Sequence, residues 1–151
     1  MGKITIRRLH TGDEETAGRV AHLFKRSRGS DESLSRFLLN PLNLLIVAQE
    51  RDEPVGFVIA HQLQRIDGES SKMFLYEIGV AASHRRRGIA SALINELDRI
   101  CQDGSFISMF VLTNRSNIPA TGLYSKTGGS VENSDDLMFT YDYSEEERFT
   151  S

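Results

Sequence analysis

The chain has 151 residues, of which 39% are hydrophobic and 26% are charged, a composition typical of a folded domain rather than a disordered chain. That length predicts one domain spanning residues 1–151, and the net charge of −3 disfavours nucleic acid as a partner. The single cysteine, Cys101, excludes a disulfide framework and a cysteine-rich metal site, and no metal is predicted. The absence of a bilayer-length apolar run and of a signal-peptide core predicts a cytoplasmic protein without membrane contact.

Hydrophobic periodicity and turn residues predict ten elements along the chain. They are a strand at 3–8, a helix at 13–25, a helix that follows Ser30 and ends before Pro41, strands at 44–49, 55–63 and 73–80, a helix at 89–102, a strand at 107–112, a helix at 118–126 and a strand at 137–143. This order predicts an α/β fold, with a mixed sheet that carries helices on its faces.

The run His-Arg-Arg-Arg-Gly-Ile-Ala at 84–90 joins a predicted strand to a predicted helix. Backbone amides at the start of a helix, flanked by cations, favour a phosphate-bearing ligand. Gly88 and the small Ala90 let such a ligand approach the main chain. The alternative is a solvated cluster of arginines. The arginines of this run are Arg85, Arg86 and Arg87, and their planar, charged guanidinium groups suit phosphate oxygens.

Residues 78–90 resemble the acetyl-CoA signature of the GNAT superfamily of N-acetyltransferases. In that signature a strand ending in Val is followed by Arg/Gln-x-x-Gly-x-Gly/Ala, which here is Arg85, Gly88 and Ala90. A second family element matches at 117–128, and two separated motifs in order are far more specific than either alone. The resemblance implies a single GNAT-like domain with a mixed, mostly antiparallel sheet flanked by helices.

Within the superfamily, the run at 76–95 resembles the GNAT-type aminoglycoside 3-N-acetyltransferases. The segment at 30–34 and the acidic pair before Leu137 resemble theirs as well, whereas Asn-Arg-Ser-Asn at 114–117 replaces acids that those enzymes carry. The resemblance implies transfer of an acetyl group from acetyl-CoA to an aminoglycoside amine by direct attack in a ternary complex.

Two residues take catalytic roles by this resemblance. Glu77 is the expected base, because an alkyl ammonium must lose a proton before it attacks a thioester. Tyr124 is the expected acid that protonates the leaving sulfur. From the residues alone, Glu77 is also explained as an exposed strand residue and Tyr124 as a core tyrosine.

The resemblance also implies contacts with the acyl donor. The backbones of Ile78 and Val80 would bind the pantetheine arm like an added strand. Asn117 would contact the donor or a bound water, although a helix N-cap is an equal explanation. The pyrophosphate would lie on the loop and first helical turn formed by Arg85, Arg86, Arg87, Gly88, Ile89, Ala90 and Ser91.

A cationic acceptor would be attracted by carboxylates. Residues 132–147 hold seven acids and no Lys or Arg, for which a solvated tail or a turn is the alternative. The candidate acceptor contacts are Asp31, Glu32, Glu77, Asp135, Asp136 and Asp142.

Two rival functions remain open. One keeps the transferase and changes the acceptor to a polyamine, another small amine or a peptide N-terminus. The other is a non-catalytic acyl-CoA-binding module. A homodimer is a further possibility, because the predicted strand at 137–143 offers an edge.

Overall fold

The computed structural model describes residues 2–144, which form five strands, four helices and a short 3-10 turn at Ala82–His84. In this part of the chain no helix has the length and hydropathy required to span a membrane. The elements are β1 (Ile4–Arg8), α1 (Glu14–Lys25), α2 (Asp31–Leu39), β2 (Asn43–Glu50), β3 (Glu53–Leu63), β4 (Lys72–Val80), α3 (Ile89–Asp103), β5 (Ser108–Phe110) and α4 (Ile118–Lys126).

The strands form one sheet in the order β1-β2-β3-β4-β5. The first three pairings are antiparallel and the pairing of β4 with β5 is parallel. The β2–β3 hairpin turns at Arg51 and Asp52, which both have positive φ, as in the tight turns that match strand twist. The mixed, mostly antiparallel sheet flanked by helices is therefore confirmed.

Helices cover both faces of the sheet, which explains why the interior strand β2 is buried along nearly its whole length. On one face Leu93 and Leu97 of α3 are completely buried against the sheet. On the other face α1 and α2 pack over Val47 and Phe57. The protein thus has a larger core beneath α3 and a smaller one beneath α1 and α2.

A β-bulge interrupts β4 next to its midpoint. Ile59 of β3 lies opposite Glu77, but the next residue of β3, Ala60, lies opposite Leu75, so Tyr76 is the extra residue. Leu75 and Ile78 both contact the core beneath α3. The bulge therefore leaves Tyr76 and Glu77 together, away from that core.

The pairing of β4 with β5 is short. It joins Lys72–Phe74 to Ser108–Phe110, and only three residue pairs are formed. From Leu75 to Val80, β4 is paired with β3 on one side, and no described strand pairs with its other side. A free backbone edge is therefore left along the second half of β4.

One predicted strand is wrong. Residues 137–143 show the alternating pattern of a strand, but the structure places them in coil with exposed side chains and no ladder partner among residues 2–144. An alternating pattern shows only that apolar side chains would share one face of a strand. A strand also requires a neighbouring strand edge with free hydrogen-bonding groups. The preceding strand is also shorter than predicted, at Ser108–Phe110 rather than 107–112.

Candidate active site

A cleft of about 410 Å³ lies where β4 ends, between the last turn of α1, the start of β3 and the loop that leads to α3. The loop is tied to β3 by a hydrogen bond from the Ala81 amide to the Val55 carbonyl, at 2.8 Å. The lining residues are Leu23, Phe24, Pro54, Val55, Val80, Ala81, Ala82, Ser83, His84 and Arg85.

The loop enters α3 through left-handed backbone at Arg86, with φ of 62°, and at Gly88, with φ of 77°. Nothing lies within 4 Å of where a Cβ at Gly88 would be, so the main chain there faces open space. No side chain of the described residues caps α3, which leaves the amides of its first turn available. These features suit an anion such as a phosphate group.

The three arginines of the loop are not equivalent. Arg87 donates from Nη2 to Oε2 of Glu50 at 2.8 Å, and His84 Nε2 lies 3.3 Å from the other oxygen of the same carboxylate. The hydrogen bonds from Arg87 and His84 hold the pKa of Glu50 below its usual range. Arg85 and Arg86 remain exposed. Glu50 therefore anchors the loop to the end of β2, leaving two arginines toward solvent.

Sequence analysis missed Glu50. Its only signal in the sequence is that it directly follows a predicted strand, next to a hairpin turn, and nothing there links it to a loop more than thirty residues later.

Three of the residues predicted to contact the acyl donor turn their side chains to the core. Ile78 and Val80 turn their side chains to the core beneath α3, so only their backbones are available at the free edge of β4. Ile89 is also buried in that core. Ala90 and Ser91 complete the first turn of α3, and the buried Ser91 hydroxyl has no hydrogen-bond partner among the described residues.

Glu77 lies on the α1 side of the sheet, and its side chain is about one quarter exposed. Lys25, at the end of α1, donates from Nζ to Oε2 of Glu77 at 2.5 Å. The carboxylate thus already holds an ammonium group supplied by the chain itself. Lys25 was not predicted as a site residue, because a contact between such distant residues leaves no local pattern.

Tyr124 of α4 packs against the core beneath α3, the cluster that Ile78 and Val80 also contact. Burial raises the pKa of Tyr124 above its usual value of 10.0, so the hydroxyl keeps its proton throughout the neutral range. Asn117 caps α4, since its Oδ1 accepts from the Ala120 amide at 3.2 Å. The capping explanation of Asn117 is confirmed, and its side-chain amide nitrogen is left for another partner.

A row of aromatic rings crosses the sheet beside Glu77, and sequence analysis did not find it. Tyr76, half exposed, contacts His61 and Phe74, each with ring centroids 5.6 Å apart. Phe74 stacks on Phe110 at 4.9 Å, and His61 meets Phe37 of α2 at 6.2 Å. Alternation along β4 puts Phe74 and Tyr76 on one face, but the contacts with His61 and Phe110 join different strands, and no local pattern encodes them.

The other predicted acceptor contacts lie apart from this arrangement. Asp31 pairs with Arg28 and Glu32 with Arg36 on the surface of α2. Asp135, Asp136 and Asp142 are exposed, and the Asp142 carboxylate accepts hydrogen bonds from the amide and the hydroxyl of Ser144. The last three acids of the predicted acidic run, at 145–147, lie outside the described residues.

The described residues contain no group of three or more His, Cys, Asp or Glu side chains placed to hold a metal ion.

Several solved structures share this fold. One is an aminoglycoside acetyltransferase from an uncultured soil metagenomic sample in complex with sisomicin, with a TM-score of 0.82 and 20% identity over 93% of this chain and 97% of that one. A second soil-metagenome aminoglycoside acetyltransferase is 26% identical, with a TM-score of 0.79 over 94% and 99% of the two chains. The aminoglycoside N-acetyltransferase AAC(6')-Iy in complex with CoA gives a TM-score of 0.72 at 21% identity over 94% and 96%.

A curated relative is the L-2,4-diaminobutyric acid acetyltransferase of Shouchella clausii (strain KSM-K16), 36% identical over 87 residues. The match covers 56% of this chain and 46% of that protein, so the chain matches less than half the length of this relative. Residues 8–129 match the model of a family described as acetyltransferase (GNAT) family. Because that match takes in most of the sheet, the loop after β4 and α4, the chain belongs to the acetyltransferase (GNAT) family.

Proposed function

We propose that this chain transfers the acetyl group of acetyl-CoA to an amino group of a small cationic acceptor, an aminoglycoside in the first place, at its 3-N position. The observation that carries the proposal is the free edge of β4, which ends in an open, amide-rich loop next to a carboxylate that binds an ammonium group. An extended acyl donor with a diphosphate at one end matches the first two features, and an amine matches the third.

The residues present fit the donor. The diphosphate would lie on the loop amides between Arg85 and Ser91, where Gly88 leaves open space and the Ser91 hydroxyl lacks a partner within residues 2–144. The pantetheine arm carries amides, and these would pair with the backbones of Ile78 and Val80 as an added strand would. When bound, acetyl-CoA supplies an acetyl group activated as a thioester.

The proton transfers are assigned to two side chains. Glu77 takes a proton from the acceptor ammonium, and the freed nitrogen forms a bond to the acetyl carbon. The carbon–sulfur bond breaks with its electron pair on sulfur, and the Tyr124 hydroxyl gives that sulfur its proton. Glu77 and Tyr124 lie on opposite faces of the sheet. One set of substrates would therefore reach both side chains through the gap between β4 and β5.

The surroundings of Glu77 favour an acceptor with several positive charges. Glu77 holds Lys25, so an incoming ammonium must displace a lysine, and further positive charges on the acceptor help to compensate for that loss. Tyr76 is the middle ring of the aromatic row, and its half-exposed face offers a surface for a sugar ring or for cation–π contact. The exposed acids at 135, 136 and 142 would add long-range attraction.

A second candidate acceptor is a small diamino acid. The 36% identity to the diaminobutyric acid acetyltransferase favours it, because this is the highest identity among the relatives described above. Such an acceptor also carries an ammonium for Glu77, but it is too small to use the aromatic row.

A thiol-release assay with acetyl-CoA and a panel of amines tests the proposed function. The panel holds aminoglycosides with distinct free amines, 2,4-diaminobutyrate, a polyamine and a peptide. We expect the highest kcat/KM with an aminoglycoside and a product acetylated at the 3-amino group by NMR. Release with diaminobutyrate alone would establish the second candidate. Thermal stabilisation by acetyl-CoA without release from any amine would establish a binding module.

Replacing the proposed base is expected to remove the proton acceptor while leaving the shape of the site unchanged. For Glu77→Gln we expect kcat/KM to fall about a hundredfold at neutral pH. The remaining rate should rise about tenfold per pH unit from about pH 6 to about pH 9, because only the free amine then reacts. Glu53→Gln, at an exposed carboxylate of β3, is the control and should behave like the wild type. An unchanged pH–rate profile for Glu77→Gln would remove Glu77 from the role.

The acid role of Tyr124 predicts a defect that depends on the leaving thiol. For Tyr124→Phe we expect kcat to fall at least about tenfold, with little change in KM, because only the hydroxyl is removed. A donor thioester with a more acidic thiol should recover much of the rate, since its sulfur leaves without protonation. Tyr141→Phe, at an exposed tyrosine, is the matched control. Equal losses with both donors would exclude an acid role.

Glu50 is expected to act through the loop rather than on the reacting atoms. For Glu50→Gln we expect acetyl-CoA to bind about fivefold more weakly by calorimetry, because Arg87 loses its charged partner and the loop is held less firmly. The kcat at saturating acetyl-CoA should change little. Glu53→Gln again serves as the control, and equal affinities for the two variants would show that the anchor has no effect on binding.

A further inference from the structure

Lys25 is held at the carboxylate that the proposed function uses as its base. It is the last residue of α1, and its Nζ donates to Oε2 of Glu77. Among residues 2–144, Lys25 is the one lysine paired with a carboxylate. The ion pair therefore places an amine of the chain itself where the amine of an acceptor would lie. The chain has four lysines, all of them exposed: Lys3, Lys25, Lys72 and Lys126.

The cleft at the end of β4 brings Lys25 close to the acyl donor as well. Leu23 and Phe24, the two residues that precede Lys25, line this cleft together with Val80. With the diphosphate on the loop after Val80 and the pantetheine arm along β4, the thioester end of the donor would lie next to Glu77. This step rests on the proposed function. It puts the acetyl carbon beside an amine and a base that are already in contact.

We propose that Lys25 is a self-acetylation site: without an acceptor, the chain transfers the acetyl group of bound acetyl-CoA to its own Lys25 Nζ. Glu77 takes a proton from the Lys25 ammonium, and the nitrogen forms a bond to the acetyl carbon. The carbon–sulfur bond breaks with its electron pair on sulfur, which takes a proton. The products are a neutral amide at Lys25, the thiol of CoA and one proton released to water.

This modification changes the charge beside Glu77. An acetylated lysine has no ammonium group and makes no ion pair. Glu77 therefore loses its partner from α1, and its carboxylate is open to the ammonium of an external acceptor. Self-acetylation thus uncovers the base, and it does so once in each chain, because no other lysine among residues 2–144 contacts Glu77.

Peptide mapping of the purified full chain by mass spectrometry tests the proposal. After incubation with acetyl-CoA and no added amine, we expect one acetyl group, at Lys25. Its rate constant should not change when the protein is diluted, because the transfer takes place within one chain. For Glu77→Gln we expect modification of Lys25 to be about a hundredfold slower. Lys72→Arg, at an exposed lysine at the start of β4, is the control and should leave that rate unchanged.

A reagent that needs no bound donor gives the reference reactivity of each lysine. Acetic anhydride should modify the four lysines to similar extents, because all four are exposed. Acetyl-CoA should instead modify Lys25 first. If acetyl-CoA modifies Lys25 no faster than the other three lysines, the self-acetylation proposal is overturned.

The thiol-release assay separates this proposal from the proposed function. Release with an external amine while Lys25 stays unmodified would overturn self-acetylation and leave the proposed function standing. No release with any amine and no acetyl group at Lys25 would overturn both.

Calorimetry without acetyl-CoA tests the effect on Glu77. Lys25→Gln is neutral, as acetyl-lysine is, and should bind kanamycin about threefold more tightly than the wild type, because no ammonium has to be displaced. Lys72→Gln changes the net charge equally at the far end of β4 and should bind kanamycin as the wild type does. An equal gain in the two variants would overturn the uncovering of Glu77.

Discussion

The candidate site depends on the shortness of the pairing between β5 and β4. Three residue pairs hold β5 against β4, and beyond Phe74 the two strands no longer form a ladder. Backbone groups in a folded protein require partners, and those of β4 that point away from β3 have none from another strand. A ligand with its own amides can take the place of the missing strand. The rigidity of this edge comes from the opposite side, where β2, β3 and α3 form the larger core.

The bulge at Tyr76 determines which side chains of β4 lie on the α1 side of the sheet. Without the extra residue, Glu77 would point to the core beneath α3 and only Tyr76 would face α1. With it, Glu77 lies on the same side as Tyr76 and meets Lys25, so a carboxylate and an aromatic ring lie next to each other. Bulges are frequent next to active sites for this reason, since one inserted residue redirects the side chains that follow.

Sequence patterns predicted the elements better than their contacts. Ser30 before α2 and the glycines after α4 marked helix boundaries that the structure confirms, because these signals act within a few residues. The Glu50–Arg87 and Lys25–Glu77 contacts join residues far apart in the chain, and no local pattern encodes them. The segment 137–143 shows the opposite failure. Its alternating pattern predicted a strand, but a strand also needs a partner edge, and no strand pairs with this segment among residues 2–144.

Near the end of β4, exposed cations lie on the loop and a carboxylate lies on the α1 side of the sheet. The net charge of −3 does not reveal this arrangement. On the loop, Glu50 neutralises Arg87, and the exposed Arg85 and Arg86 remain to attract an anion. On the α1 side, Glu77 is a carboxylate whose nearest cation is a lysine with a long, mobile side chain. A flexible lysine is displaced at lower cost than a fixed arginine fork, because it makes point-like contacts. In the proposed reaction, Glu77 would stay paired with Lys25 until another ammonium arrives, and the anionic donor and the cationic acceptor would each meet the opposite charge near the end of β4.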